Sequence, residues 1–322
     1  MNWRGSWTSL TELSSVPARL SADSRIEMRW GEHTVKEQKQ TTELSLEHKD
    51  VLYDRLHSIA VPLAEYSFAN IYLFRKKHSY RIVEDSGPPF IRGETYDGYS
   101  FVMPTVELPE LDEGVLREWL QDVDFIFPVA EQWLEDIDEE DFERTYQDGD
   151  TDYVYETEKI AELSGRKLHR KRNMLRQFER RYDHEALPLT NDRLDDARAV
   201  LEKWQEQMSA PAEETDYAPC SEALELYEEL VLCGVIYYAE GQPAGFIVGD
   251  ELNEETFALH FAKGKREFRG IYEYMFSTFA ELLPRRYRLL NFEQDLGIEA
   301  LRKAKSAYNP DYLMEKYRLS LK

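Results

Sequence analysis

At 322 residues, 42% of them hydrophobic, the chain is long for one small core and too apolar to be disordered, so two domains of about 150 residues are the default. Its formal net charge of −23 opposes polyanion binding over the whole surface, and any phosphate or nucleic-acid contact has to be local. Cys220 and Cys233, the only cysteines, stand in no CxxC or Cys/His pattern, which excludes a disulfide framework and a zinc module.

Residues 1–40 are polar with scattered tryptophans and read as an irregular arm. The opening MNWRGSWTSL has no apolar signal region, and the longest apolar stretch, near Val231 to Ala239, is broken by Gly234. The expectation is a soluble, cytoplasmic protein with no integral membrane segment, any lipid contact being peripheral. From Leu44 a helical pattern runs through Val51, Leu52, Leu56 and Ile59, followed after Pro62 by the aromatic-rich EYSFANIYLF, Glu65 to Phe74. Strands are expected at Tyr80 to Val83, Tyr99 to Met103 and Asp124 to Val129, with a helix at Asp112 to Gln121. Glu107 to Glu158 holds 20 acidic residues against Arg117 and Arg144, without a calcium-loop pattern, and reads as a solvated face.

The sign of the charge then flips. Gly165 to Arg181, GRKLHRKRNMLRQFERR, has eight Lys or Arg and one acid, with Leu168, Leu175, Phe178 and Tyr182 near one face of an amphipathic helix. Lys167, Arg170, Lys171 and Arg172 make it the one strongly basic element, either a local site for tRNA or phosphate, or a partner for the acidic block before it. Helices follow at Asp192 to Met208 and Ser221 to Leu232. Next come a hairpin of Val235 to Ala239 and Ala244 to Val248, and a third strand at Thr256 to Phe261. A helix from Gly270 to Leu283, a strand at Tyr287 to Asn291, a helix after Gly297 and a strand from Leu313 to Leu319 complete the order α-α-β-β-β-α-β-α-β.

This succession resembles the GNAT acyltransferase fold, in which the loop after the central strand binds an anionic donor at a helix N-terminus. Here that loop is Lys263-Gly264-Lys265-Arg266-Glu267-Phe268-Arg269-Gly270. Against the Q/R-x-x-G-x-G/A signature of CoA-dependent members, the nearest register gives Glu267, Gly270 and Tyr272, a match at Gly270 alone. Three separated stretches carry a closer resemblance: Asp152-Tyr153-Val154-Tyr155, GRKLHRKRN from Gly165 to Asn173, and EQDLGIEALRKAKSAYNP from Glu293 to Pro310. Together with EYSFANIYLF, they resemble a bacterial family related to the C-terminal domain of phosphatidylglycerol lysyltransferases. The resemblance implies a mixed α/β chain of two tandem GNAT-like domains, expected at 41–160 and 161–322. It further implies transfer of an aminoacyl group from aminoacyl-tRNA to a lipid, peptide or small-molecule acceptor.

Aminoacyl transfer needs a base, a stabilised oxyanion and a cationic surface for the donor. His260 and Glu293, each at the end of an expected strand, are the candidate bases; a structural hydrogen bond is the plainer reading of both. Lys263, Arg266, Arg302, Lys303 and Lys305 are candidates for holding phosphate, with Gly270 and Asn291 beside them, and solvated charge is the alternative. Tyr272 and Tyr308 are either ligand hydrogen-bond donors or core tyrosines. No metal, no covalent intermediate and no obligatory cofactor are expected. Acyl-CoA is the alternative donor, and a non-catalytic binding module is the alternative class.

Overall fold

The computed structural model describes residues 40–84, 87–135 and 137–322; the arm expected at the N-terminus lies outside the described residues, Gln40 excepted. The described chain opens with β1 (Gln40–Glu43), α1 (Lys49–His57), α2 (Phe68–Phe74), β2 (Arg81–Glu84), β3 (Phe90–Glu94), β4 (Ser100–Pro104) and α3 (Glu113–Trp119). It continues with β5 (Phe125–Ala130), β6 (Phe142–Tyr146), β7 (Asp152–Glu156), α4 (Thr157–Glu162), the basic α5 (His169–Arg181), β8 (His184–Pro188), α6 (Leu194–Glu206) and α7 (Tyr217–Glu225). The remainder is β9 (Cys233–Ala239), β10 (Gln242–Asn253), β11 (Thr256–Gly264), α8 (Ile271–Leu282), β12 (Leu289–Asn291), α9 (Glu299–Ser306), β13 (Tyr312–Met314) and β14 (Lys316–Leu321).

Two seven-stranded mixed sheets result, in the orders β1-β2-β3-β4-β5-β14-β6 and β13-β7-β12-β11-β10-β9-β8. Each has one parallel neighbouring pair, β4 with β5 across α3 and β11 with β12 across α8, as parallel strands need a crossover to join them. Every residue of β5 is buried, which explains its unbroken apolar run FIFPVA. On α6 the stripe Leu194, Ala197, Val200, Leu201 and Trp204 is buried at helical spacing, and one apolar cluster extends from Leu52 and Ile71 to Val200 and Phe246.

β3, β6, α4 and β8 were not expected from the sequence, and two further departures bear on how the chain closes. The helix expected at Ser221 begins four residues earlier, at Tyr217, and ends at Glu225; Val231 takes a left-handed φ of 56°, and the Leu232 N–H donates back to the Tyr227 carbonyl. The last strand is not one strand. It divides at Glu315, so that β13 extends the second sheet beside β7 while β14 enters the first sheet between β5 and β6. β7 and β14 thus tie the two sheets together, and each starts with a buried charge, Asp152 on β7 and Lys316 on β14.

Candidate active site

The site begins where the parallel pair of the second sheet opens. Ala258 and Asn291 are the last partners of β11 and β12, yet β11 runs on to Gly264 while the chain after Asn291 turns aside. His260 and Glu293 occupy the next same-face positions, where the ladder has parted. The antiparallel register against β10 also shifts there: Val248 faces Phe261 and Gly249 faces Leu259, so His260 is the extra residue of a bulge. Such bulges re-aim a side chain. Gly249 permits it, because a Cβ at that position would lie 1.9 Å from the Ala258 carbonyl oxygen. Glu293 takes a left-handed φ of 60°, and its N–H donates to Asn291 Oδ1 at 2.6 Å, a side-chain-closed turn that aims the carboxylate.

His260 is buried between two carboxylates, with Nε2 2.9 Å from Asp250 Oδ1 and Nδ1 2.7 Å from Glu293 Oε1. Burial works against its charge, but Asp250 and Glu293 outweigh that and push its pKa up to about 10. Both ring nitrogens therefore carry protons at neutral pH. The same Glu293 oxygen accepts from Asn70 Nδ2 at 2.8 Å, while Ser67, the N-cap of α2, donates to Asp250 Oδ2 at 2.7 Å. Glu293 Oε2 makes no bond among the described residues.

A cavity of about 70 Å³ lies between the sheets, lined by Glu65, Asn70, His78, Tyr80 and Phe127 of the first half and Glu293 of the second, among others. That volume suits a small functional group and not a whole cofactor. Behind it, Lys316 Nζ sits 2.7 Å from both Glu65 Oε2 and Asp152 Oδ1, with all three side chains at most 5% exposed. Burial raises the Glu65 carboxyl to about 7 despite Lys316. Burial opposes the Lys316 charge, and the two carboxylates override it and hold its pKa above the ordinary value. Asn291 Nδ2 donates to Asp152 Oδ2 at 2.9 Å and to the Pro62 carbonyl at 2.8 Å. Lys305 Nζ donates to the carbonyls of Glu293 and Gln294, and burial lowers its pKa to about 8.

The other expected contacts lie elsewhere. Arg302 forks onto Asp295, which also accepts from Tyr153 and the Gly297 N–H, and Lys303 pairs with Glu299 in solvent. Lys263 is turned inward, with Nζ 2.6 Å from Asp216 and 3.7 Å from the Trp204 ring centroid, so neither Lys263 nor Arg302 lines the cavity. In the loop before α8, the N–H of Gly264 goes to Tyr272 Oη, that of Lys265 to Ala244 O, and that of Arg266 to Gln207 Oε1; the Arg266 side chain reaches Met208 Sδ. Gly270 caps α8 at φ 95°, under α5: a Cβ there would lie 2.8 Å from the Met174 carbonyl oxygen.

On α5 itself, Lys171 pairs with buried Glu273 at 3.0 Å and covers the Tyr308 ring at 4.0 Å. Arg172 caps the Leu163 and Gly165 carbonyls, and Lys167 donates to Asn309 Oδ1 at 2.8 Å. Tyr308 is buried, and its hydroxyl has no hydrogen-bond partner among the described residues. Arg170, Arg176 and Arg180 are exposed. Among the described residues the basic helix makes no ion pair with the acidic block before it; the partners found for Lys167, Lys171 and Arg172 come from α4's end, α8 and the Tyr308–Asn309 turn.

Two mixed sheets, each opened at a single parallel pair and tied by exchanged strands, define a protein of the tandem GNAT-like fold, similar to that of FemX at 9% identity and TM-score 0.54, over 88% of this chain and 97% of that one. The chain belongs to the phosphatidylglycerol lysyltransferase C-terminal family, whose description matches residues 59–320. A conserved protein of unknown function from Bacteroides thetaiotaomicron is similar at 26% identity and TM-score 0.76, over 88% of this chain and all of that one. The C-terminal domain of a putative lysylphosphatidylglycerol synthetase from Agrobacterium fabrum is similar at 12% identity and TM-score 0.57, over 85% of this chain and 91% of that one. An uncharacterised protein of Mycoplasmoides gallisepticum is 27% identical over 175 residues, 52% of this chain and 55% of that protein. The chain spans about half the length of this curated relative. Among the described residues no helix is long and apolar enough to cross a membrane.

Of the residues singled out on sequence, the structure brings His260, Glu293, Asn291 and Lys305 into one neighbourhood, beside Glu65, Asn70, His78, Asp250, Asp152 and Lys316, which were not singled out. One available signal was Gly249 inside a strand pattern, which marks a bulge or a close backbone approach.

Proposed function

We propose that the chain transfers an aminoacyl group from aminoacyl-tRNA to a lipid, peptide or small-molecule acceptor, with the reacting ester placed in the cavity between the sheets. The observation that carries this reading is Glu293: one oxygen is fixed by His260 and Asn70, and the residue lines the cavity between the sheets. In this reading Glu293 binds or polarises the group that reacts. His260, protonated on both nitrogens, acts through Glu293 as a positioning residue, and Lys305 fixes the Glu293–Gln294 backbone. The exposed Arg170, Arg176 and Arg180 of α5 supply the local cationic surface for the donor. Lys171 of the same helix covers Tyr308, one turn beyond Lys305, so that surface adjoins the segment bearing Glu293.

Two measurements test it. Filter binding of aminoacyl-tRNA at rising salt should show a steep loss of affinity, and joint reversal of Arg170, Arg176 and Arg180 to Glu should flatten the slope and weaken binding at low salt. Unchanged low-salt affinity in the triple variant removes the tRNA surface. With labelled aminoacyl-tRNA, Glu293→Gln should lower transfer at least about 100-fold, in the range for loss of a positioned catalytic group; wild-type activity in that variant removes Glu293 from the reaction, and absence of any transfer by the wild type returns the chain to the binding-module class.

A further inference from the structure

The cavity is lined by a histidine that the reading above leaves without a task. His78 lies in the turn after α2, its backbone carbonyl accepts the Glu94 N–H at 2.8 Å, and its ring stacks on Tyr80 at 5.3 Å between centroids. Its Nδ1 lies 2.8 Å from the Glu94 carbonyl oxygen. A carbonyl can only accept, so Nδ1 carries the hydrogen and Nε2 holds the lone pair. Nε2 makes no bond among the described residues. The two histidines of the site are therefore opposites: His260 has a carboxylate on each nitrogen and no capacity for another proton, whereas His78 is tied to a neutral carbonyl and keeps one nitrogen open.

We propose that His78 Nε2 is the proton acceptor of this site, the general base for the acceptor hydroxyl or amine. The inference rests on the transfer reading above. The acceptor oxygen or nitrogen bonds to the carbonyl carbon of the aminoacyl ester as its proton passes to Nε2. When the tetrahedral adduct collapses, the ester C–O bond breaks and the departing ribose oxygen takes the proton back, leaving His78 neutral for the next turnover. Burial lowers the His78 pKa, with Lys77 adding to the effect, so the ring is unprotonated at neutral pH. Glu65, Asp150 and Glu293 line the same cavity as His78.

Two arms decide it. Diethyl pyrocarbonate acylates only unprotonated imidazole; on the wild-type chain at neutral pH, peptide mapping should find His78 modified and His260 untouched. An unmodified His78 overturns the inference whatever the activity. In the transfer assay, His78→Ala should lose about 100-fold or more in rate with donor affinity unchanged, and added imidazole should restore a measurable part of it. Retention of rate within threefold, or a loss that imidazole does not relieve, overturns it as well. His78→Gln, which keeps a donor for the Glu94 carbonyl, should be slow yet fully folded. A wild type that transfers no labelled aminoacyl group while His78 is acylated defeats the transfer reading and leaves an open base in the cavity.

Discussion

The second sheet presents two places that, on sequence, belong to one active site: the basic loop before α8 and the splay that holds Glu293. They differ in spare bonding capacity. In the loop, the Gly264, Lys265 and Arg266 N–H groups, the Lys263 ammonium and the Gly270 approach are all committed within the chain. At the splay, Glu293 Oε2 makes no bond among the described residues, and Glu293 shares a cavity with His78 of the first half, whose Nε2 is likewise unbonded among them. A cluster of the right residue types is thus a poor guide to a site until its partners are counted. A ligand can use only what the fold has left over.

The strongest way to break the splay is from behind. Lys316→Met strands Glu65 and Asp152 as buried carboxylates and should cost about 3–5 kcal/mol in urea unfolding, the range for removing one partner of a buried ion pair. Protonation can relieve the stranded carboxylates, so the loss should be larger at pH 8 than at pH 5. Replacing Lys263 by Met should cost only about 1 kcal/mol, since Asp216 is 36% exposed and can rehydrate.

The His260 clamp gives a pH signature. Its folded pKa is raised, so the stability it contributes is fully present below the unfolded value of about 6.5 and is lost as pH rises through about 10. The difference in urea midpoint between wild type and His260→Gln should therefore shrink between pH 6.5 and pH 10. A constant difference across that window means that His260 is neutral in the folded chain.

These contrasts also mark what the sequence made legible. Local patterns were readable: the α6 stripe, the hairpin of β9 and β10, and α8 ending the basic loop, because helical and alternating spacings report burial directly. The junction was not. Lys316 finds Glu65 at a separation of 251 residues, and a charged residue at the head of a strand reads as solvent-facing unless its partner is known. The same holds for Asp152 on β7, so the exchange of strands between sheets left no periodic trace. Glu293 and His260 were singled out by position at strand ends, while Asn70 and His78 lay in or beside the aromatic-rich run Glu65 to Phe74, whose polar residues carry no spacing of their own.

The committed loop can be tested from its own side with Gly270→Ala. The residue needs φ 95°, and a Cβ would press on the Met174 carbonyl and come within 3.0 Å of Phe178 Cβ, so α5 has to shift or the helix start has to strain. The expected cost is about 1–3 kcal/mol, read as a lower urea midpoint at unchanged slope.

The smallest expected effect concerns acyl-CoA. A diphosphate at the α8 N-terminus needs free N–H groups and a favourable charge there. Three loop N–H groups are already engaged, Glu273 stands in the first turn, and α5 packs over Gly270. Calorimetry with millimolar acetyl-CoA should therefore give no heat with the wild type. If Gly270→Ala loosens α5, it alone should begin to show weak binding, diminished by Lys265→Glu. Binding by the wild type that Lys265→Glu abolishes means that the loop opens in solution, and the contrast between the two places in the second sheet then disappears.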